Sequence, residues 1–137
     1  MTIHAYTDGA SRGNPGESGI GVILKDENGT TLDTFGEYIG RSTNNHAEYR
    51  ALLKCLELAG PLSCAKLIVH SDSELMVRQL LGEYRVKDAA LREQFERVQS
   101  ILRSAPFAFE IRHVVRDENR EADELANRSI NLKTSIR

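Results

Sequence analysis

Four acidic residues stand out by type and placement: Asp8, Glu48, Asp72 and Asp123. Each has a plain reading. Asp8, followed by Gly9, reads as a turn residue. Glu48 closes a capping box with Asn45 at the entry to a helix. Asp72 follows an apolar run and precedes a helical stretch, where it reads as an N-cap. Asp123 reads as a solvated helix carboxylate, although Ala126 and Ile130 share its face. Together they suggest something else. If the first and fourth strands are parallel neighbours, Asp8 and Asp72 share the carboxyl end of the sheet, where open α/β sheets bind ligands. Glu48 and Asp123 then lean over it from their helices. Four carboxylates in one place repel one another and call for cations. Mg²⁺ suits all-oxygen ligands and shares substrate phosphates. Two such ions about 4 Å apart suit the in-line hydrolysis of a phosphodiester, with water as nucleophile.

Positioning these acids requires a particular set of elements. Alternation predicts strands over Ile3–Asp8, Ile20–Leu24 and Thr31–Ile39, with a hairpin at Asn28-Gly29. A Gly-rich loop, Ser11–Gly16, separates the first two. Helical periodicity covers Asn45–Ala59, and Gly60-Pro61 stops it. Leu67–Val69 reads as a strand, and Ser73–Leu81 and Ala89–Leu102 as helices. Phe107, Phe109, Ile111 and His113 alternate as a strand, which puts His113 on a packed face. Asn119–Asn131 is the last helix. Three closely linked strands predict an antiparallel meander, and strands separated by helices predict parallel pairing. The fold class is therefore α/β, a mixed five-stranded sheet flanked by helices.

The 137 residues suit one domain, 1–137. No apolar run approaches the length of a membrane span, and the N-terminus lacks a signal-peptide pattern, so a cytoplasmic protein without membrane contact is expected. Cys55 and Cys64 are read as unpaired thiols. Residues 133–137 are expected to be loose. The net charge of −2 does not suggest nucleic acid. It does conceal an uneven spread: residues 78–103 hold six basic groups against four acidic ones, which allows a local basic surface. Other site types are poorly supported. The Gly-rich loop lacks a P-loop ending, the cysteines lack zinc spacing, and no serine sits in a nucleophile elbow.

The segments around the four acids resemble type 1 ribonuclease H. Thr7-Asp-Gly-Ala-Ser-Arg-Gly-Asn-Pro-Gly16 is similar to the first signature of that family. Thr43-Asn-Asn-His-Ala-Glu48 is similar to the second, Ser71-Asp-Ser73 to the third, and Glu118-Asn-Arg-Glu-Ala-Asp-Glu-Leu-Ala126 to the fourth. Their order and spacing cover almost the whole chain. The resemblance implies the ribonuclease H-like fold and an endonuclease that cuts the RNA strand of RNA–DNA hybrids, leaving 5′-phosphate and 3′-hydroxyl ends. It implies Asp8, Glu48, Asp72 and Asp123 as ligands of two Mg²⁺ ions, with Mn²⁺ as a substitute. In that family the Glu also contacts a ribose 2′-hydroxyl, the group that distinguishes RNA from DNA. It further implies Arg12, Asn14, Asn44 and Asn45 as hybrid contacts, and Arg41 with Thr43 as a phosphate-holding pair. The implied partner is the hybrid; no obligatory protein partner is evident in the sequence, and a monomer is expected. A hybrid-binding module without catalysis and a related metal-dependent exonuclease are the alternatives.

Two departures from the family pattern are visible. Gly82–Asp88 replaces the Trp- and Lys-rich basic protrusion of many bacterial members, and the chain has no Trp. Many members also carry a mobile His in the loop before the last Asp. Here that loop reads Val114-Val115-Arg116-Asp117. Arg116 is the loop candidate, and as a permanent cation it would clamp phosphate, not move protons.

Overall fold

The computed structural model describes residues 1–137. Its elements run β1 (Thr2–Arg12), β2 (Gly16–Lys25), β3 (Thr31–Ser42), α1 (Asn44–Ala59), a 3-10 turn (Gly60–Leu62), β4 (Lys66–Ser71), α2 (Glu74–Leu80), α3 (Ala89–Ser104), β5 (Ala108–His113), a second 3-10 turn (Arg116–Asn119) and α4 (Arg120–Leu132). The five strands form one sheet in the order β3-β2-β1-β4-β5. β1, β2 and β3 are antiparallel, whereas β4 runs parallel to β1 and β5 parallel to β4. The observed sheet is thus the mixed, helix-flanked one expected from the strand and helix order.

The pleat divides the side chains between two cores. Ile3, Ala5, Val22, Leu24, Leu67 and Val69 face α1 and α3, where they meet Leu52, Leu56 and Val98 in the main core. Ile23 takes the opposite face and packs with Tyr6 against Ala122 and Leu125 of α4. Burying such side chains contributes roughly 1.5–3 kcal/mol each, so the two cores hold both helix layers on the sheet. The thiols of Cys55 and Cys64 are free and buried in the main core. Burial, helped by Cys64, pushes the Cys55 thiol up to about 12.

Several local expectations are corrected. β1 does not end at Asp8; it continues to Arg12, paired with β2 as far as Arg12↔Glu17. The expected Gly-rich loop shrinks to the turn Gly13–Pro15, because its outer residues belong to a long hairpin. The Asn45–Glu48 capping box does not form. Thr43 caps α1 by accepting from the His46 N–H at 3.3 Å, which leaves the Glu48 side chain for other partners. Likewise Ser73, not Asp72, caps α2. The last residues are pinned, not loose. Ile136 pairs with Gly36 through two main-chain hydrogen bonds of 2.7 Å, and Arg137 reaches Asp33 at 3.1 Å. That pairing covers the middle of the outer edge of β3, where the Tyr38 N–H also donates to the Thr134 oxygen at 3.3 Å.

Candidate active site at the carboxyl end of the central strands

Parallel pairing of β1 and β4 aligns Thr7 with Ser71, so Asp8 and Asp72 follow side by side. By the same alternation as Tyr6, Asp8 takes the α4 face. It lies opposite Gly21, and a Cβ at Gly21 would stand only 2.1 Å from the Ala122 oxygen. The missing side chain lets α4 settle on β2 and brings Asp123 to the sheet end. Gly9 does the same for α1: a Cβ there would stand 2.3 Å from the Glu48 nitrogen. The Gly9 N–H donates to Glu48 Oε1 at 2.9 Å. Two glycines in strands therefore set the approach of both helix acids.

Asp8, Glu48 and Asp72 each present a carboxylate oxygen within 4.8 Å of the others. Asp123 joins them on the wall of a cleft of about 570 Å³. Asp8 and Glu48 are 4% and 3% exposed, so their charges lack water. Burial first, then the carboxylates of Glu48, Asp72 and Asp123, pushes Asp8 up to about 10. Burial and Asp72 hold Glu48 well above its ordinary value, with the Gly9 N–H working against them. Within the cleft the only ion pair to an acid of the set is Arg116 on Asp123, at 3.6 Å. Asp8 and Glu48 must therefore bind protons or cations. An all-oxygen donor set without thiol or imidazole among them fits a hard divalent cation such as Mg²⁺.

The other candidate residues distribute unevenly. Arg12, Asn44 and Arg116 line the cleft with the acids. Asn14 turns its Oδ1 onto the Asn44 N–H at 2.9 Å and thereby ties the hairpin turn to the start of α1. Thr43 is committed to its cap, and Arg41 is exposed on β3 opposite Glu17. Asn45 faces a separate depression with Leu75, Gln79 and Tyr84.

His113 corrects an expectation. It is exposed and lines the acidic cleft. Its alternation with Phe109 and Ile111 is real, but it stands at the last position of β5, where the helical cover has ended. The signal for its placement was its register with Ser71, one residue before Asp72. Asn127 was also missed. It lies four residues after Asp123, one helical turn on, and shares the cleft.

Residues 6–129 match the family model described as reverse transcriptase-like. A ribonuclease HI of Halobacterium salinarum is 40% identical over 128 residues, covering 93% of this chain and 64% of that protein. A bifunctional protein of Mycobacterium tuberculosis is 38% identical over 128 residues, covering 93% of this chain and 35% of that protein. The chain thus spans less than two thirds of these relatives. Among solved structures, LC11-RNase H1 in complex with an RNA/DNA hybrid superposes with a TM-score of 0.91 at 42% identity, over 96% of this chain and 98% of that one. RNase H1 from Halobacterium salinarum superposes with a TM-score of 0.90 at 39% identity, over 96% and 98%. The fold is that of the ribonuclease H-like class. The chain belongs to the type 1 ribonuclease H family.

Proposed function

We propose that this chain is one ribonuclease H domain that cuts the RNA strand of RNA–DNA hybrids internally, leaving 5′-phosphate and 3′-hydroxyl ends. The observation that carries the reading is the convergence of Asp8, Glu48 and Asp72 within 4.8 Å, with Asp123 on the same cleft. These four would hold two Mg²⁺ ions, with Mn²⁺ as a substitute. When bound, such ions supply activation of the attacking water and stabilisation of the leaving 3′-oxygen. The chain's own groups do the rest. Asp8 and Glu48, shielded from water, stay fixed through close packing of β1 on α1. Arg116 holds Asp123 until a substrate phosphate offers it a stronger partner. The His113 imidazole, at the cleft wall, is suited to pass a proton to the departing oxygen. Asn14, Asn44 and Asn45 offer uncharged donors and acceptors to the minor groove of a hybrid, and Arg12, Arg41 and the Thr43 O–H, which only accepts in its cap and so can still donate, offer contacts to phosphates. The protein would act as a cytoplasmic monomer. No helix is long and apolar enough to cross a membrane.

The test is cleavage of an internally labelled hybrid with both ends blocked, in Mg²⁺ and in chelator. Internal cuts that require Mg²⁺ are expected. Trimming from freed ends alone, or binding without cleavage, would reject the endonuclease. Asp72→Asn should lower turnover by at least about 100-fold, the scale of losing a main electrostatic contributor. Its melting temperature should hold or rise, because carboxylate repulsion is relieved.

A further inference from the structure

Asn127 makes a two-sided contact inside the cleft. Its Nδ2 donates to Asp123 Oδ1 at 3.2 Å and to the Asp123 main-chain oxygen at 3.0 Å. With the nitrogen so placed, the amide oxygen faces the other way, where Oδ1 accepts from Arg12 Nη2 at 3.3 Å. The same Nη2 reaches the main-chain oxygen of Asn127, also at 3.3 Å. Arg12 is exposed at the end of β1 and enters no ion pair. The other arginine of the cleft, Arg116, is already on Asp123. Arg12 is therefore held through one nitrogen by neutral acceptors; Glu17, across the β1–β2 pair, is near enough to feel its charge but makes no ion pair with it, and the remaining Arg12 N–H donors stay free.

We propose that Asn127 is a positioning residue that ties Asp123 to Arg12 and so stations the Arg12 guanidinium at the cleft lip. There it takes a non-bridging oxygen of a substrate phosphodiester next to the one lying over the acids. This rests on the nuclease reading above and adds a residue to it. A neutral amide fits the post because it donates to one neighbour and accepts from the other. An acid there would face Asp123 with a further negative charge. A base would pair with Asp123 and repel Arg12.

The experiment compares wild type, Arg12→Ala, Asn127→Ala and the double variant. A short RNA–DNA hybrid is titrated in Ca²⁺ across a salt series, and steady-state cleavage is followed in Mg²⁺. Alanine raises helix propensity at position 127, so folding should survive, and melting checks it. Arg12→Ala should weaken binding and raise KM about three- to fivefold, the scale of an exposed charged contact. It should flatten the log–log salt slope by about 1, with kcat changed far less than KM. Asn127→Ala should weaken binding in the same sense, and it should also raise the Mg²⁺ concentration giving half-maximal rate, because Asp123 loses its anchor. At saturating Ca²⁺, where Asp123 is held by the cation in every variant, the double variant should bind no more weakly than Arg12→Ala, because the binding effect of both changes then runs through one guanidinium. Additive losses, or a salt slope unmoved by Arg12→Ala, would overturn the assignment while leaving the nuclease intact. A wild type that neither binds nor cuts the hybrid would remove the nuclease reading and this inference with it.

Discussion

Asp8 is the residue whose surroundings are most at odds with its chemistry. Its folded-state value near 10, against 3.8 for a free side chain, means the folded protein binds a proton more tightly than the unfolded chain. Without metal, the stability from that proton is fully present at low pH. It is lost as pH rises towards the folded value, because the slope of unfolding free energy with pH is negative wherever the folded state holds more protons. In chelator, the melting temperature of wild type should fall relative to Asp8→Asn between about pH 5 and about pH 9. Added Mg²⁺ should remove most of that difference by replacing the proton. Parallel slopes for the two proteins would mean that Asp8 ionises normally. His113 and Arg116 pose a second question at this scale, because both line the cleft. His113→Ala should lower turnover about 10- to 100-fold, the size of one proton-transfer contribution, with melting unchanged because the side chain is exposed. Arg116→Ala should cost less in turnover, since its partner Asp123 keeps the Asn127 contact. A larger loss at Arg116, or a lower melting temperature for His113→Ala, would reverse these roles.

The elements show why some of this was legible and some was not. Asp8 and Asp72 could be brought together from sequence because parallel pairing of two short apolar strands is a strong constraint. The extent of β1 could not, because Gly9, Gly13 and Gly16 read as loop. Gly9 is instead a strand residue whose missing side chain admits a helix. Composition records a glycine without saying which neighbour approaches it. His113 was misread because alternation assigns a face but not where the cover on that face stops. The pinned tail was invisible for another reason: its partner, Gly36, lies some 100 residues away in sequence. Gly21 offers the sharpest test of element packing. Gly21→Ala should destabilise the fold by about 1–3 kcal/mol, the usual cost of overfilling a packed contact. Because α4 carries Asp123, turnover should also fall at temperatures where the variant remains folded. A variant that melts early yet cuts normally would show that α4 re-seats without moving its acid.

At the scale of the whole molecule, the balance of charge limits how substrate is held. The net charge is −2, and several cations are committed internally. Arg78 is paired with Glu74 and Glu83, and Lys25 with Glu121. Near the cleft and the neighbouring Asn45 depression, Arg12, Arg41, Arg85 and Lys87 enter no ion pair and are open to phosphates, with Arg116 once Asp123 releases it. Each phosphate contact on a duplex contributes a log–log salt slope of roughly −0.9, so hybrid binding in Ca²⁺ should show a slope of about −2 to −5. Replacing Gly82–Asp88 by a Lys-rich segment should steepen it and tighten binding. A much steeper slope in wild type would point to basic groups not counted among these. The buried thiols have a consequence of a different kind. With Cys55 at about 12 and sealed in the core, almost none of it is thiolate, so alkylating reagents meet an unreactive Cys55 in the native protein. The rate at which Cys55 is labelled then becomes a clock for the opening of α1. Because α1 also carries Glu48, that clock, run with and without divalent cation, would read directly how far loading the cleft locks the helix shut.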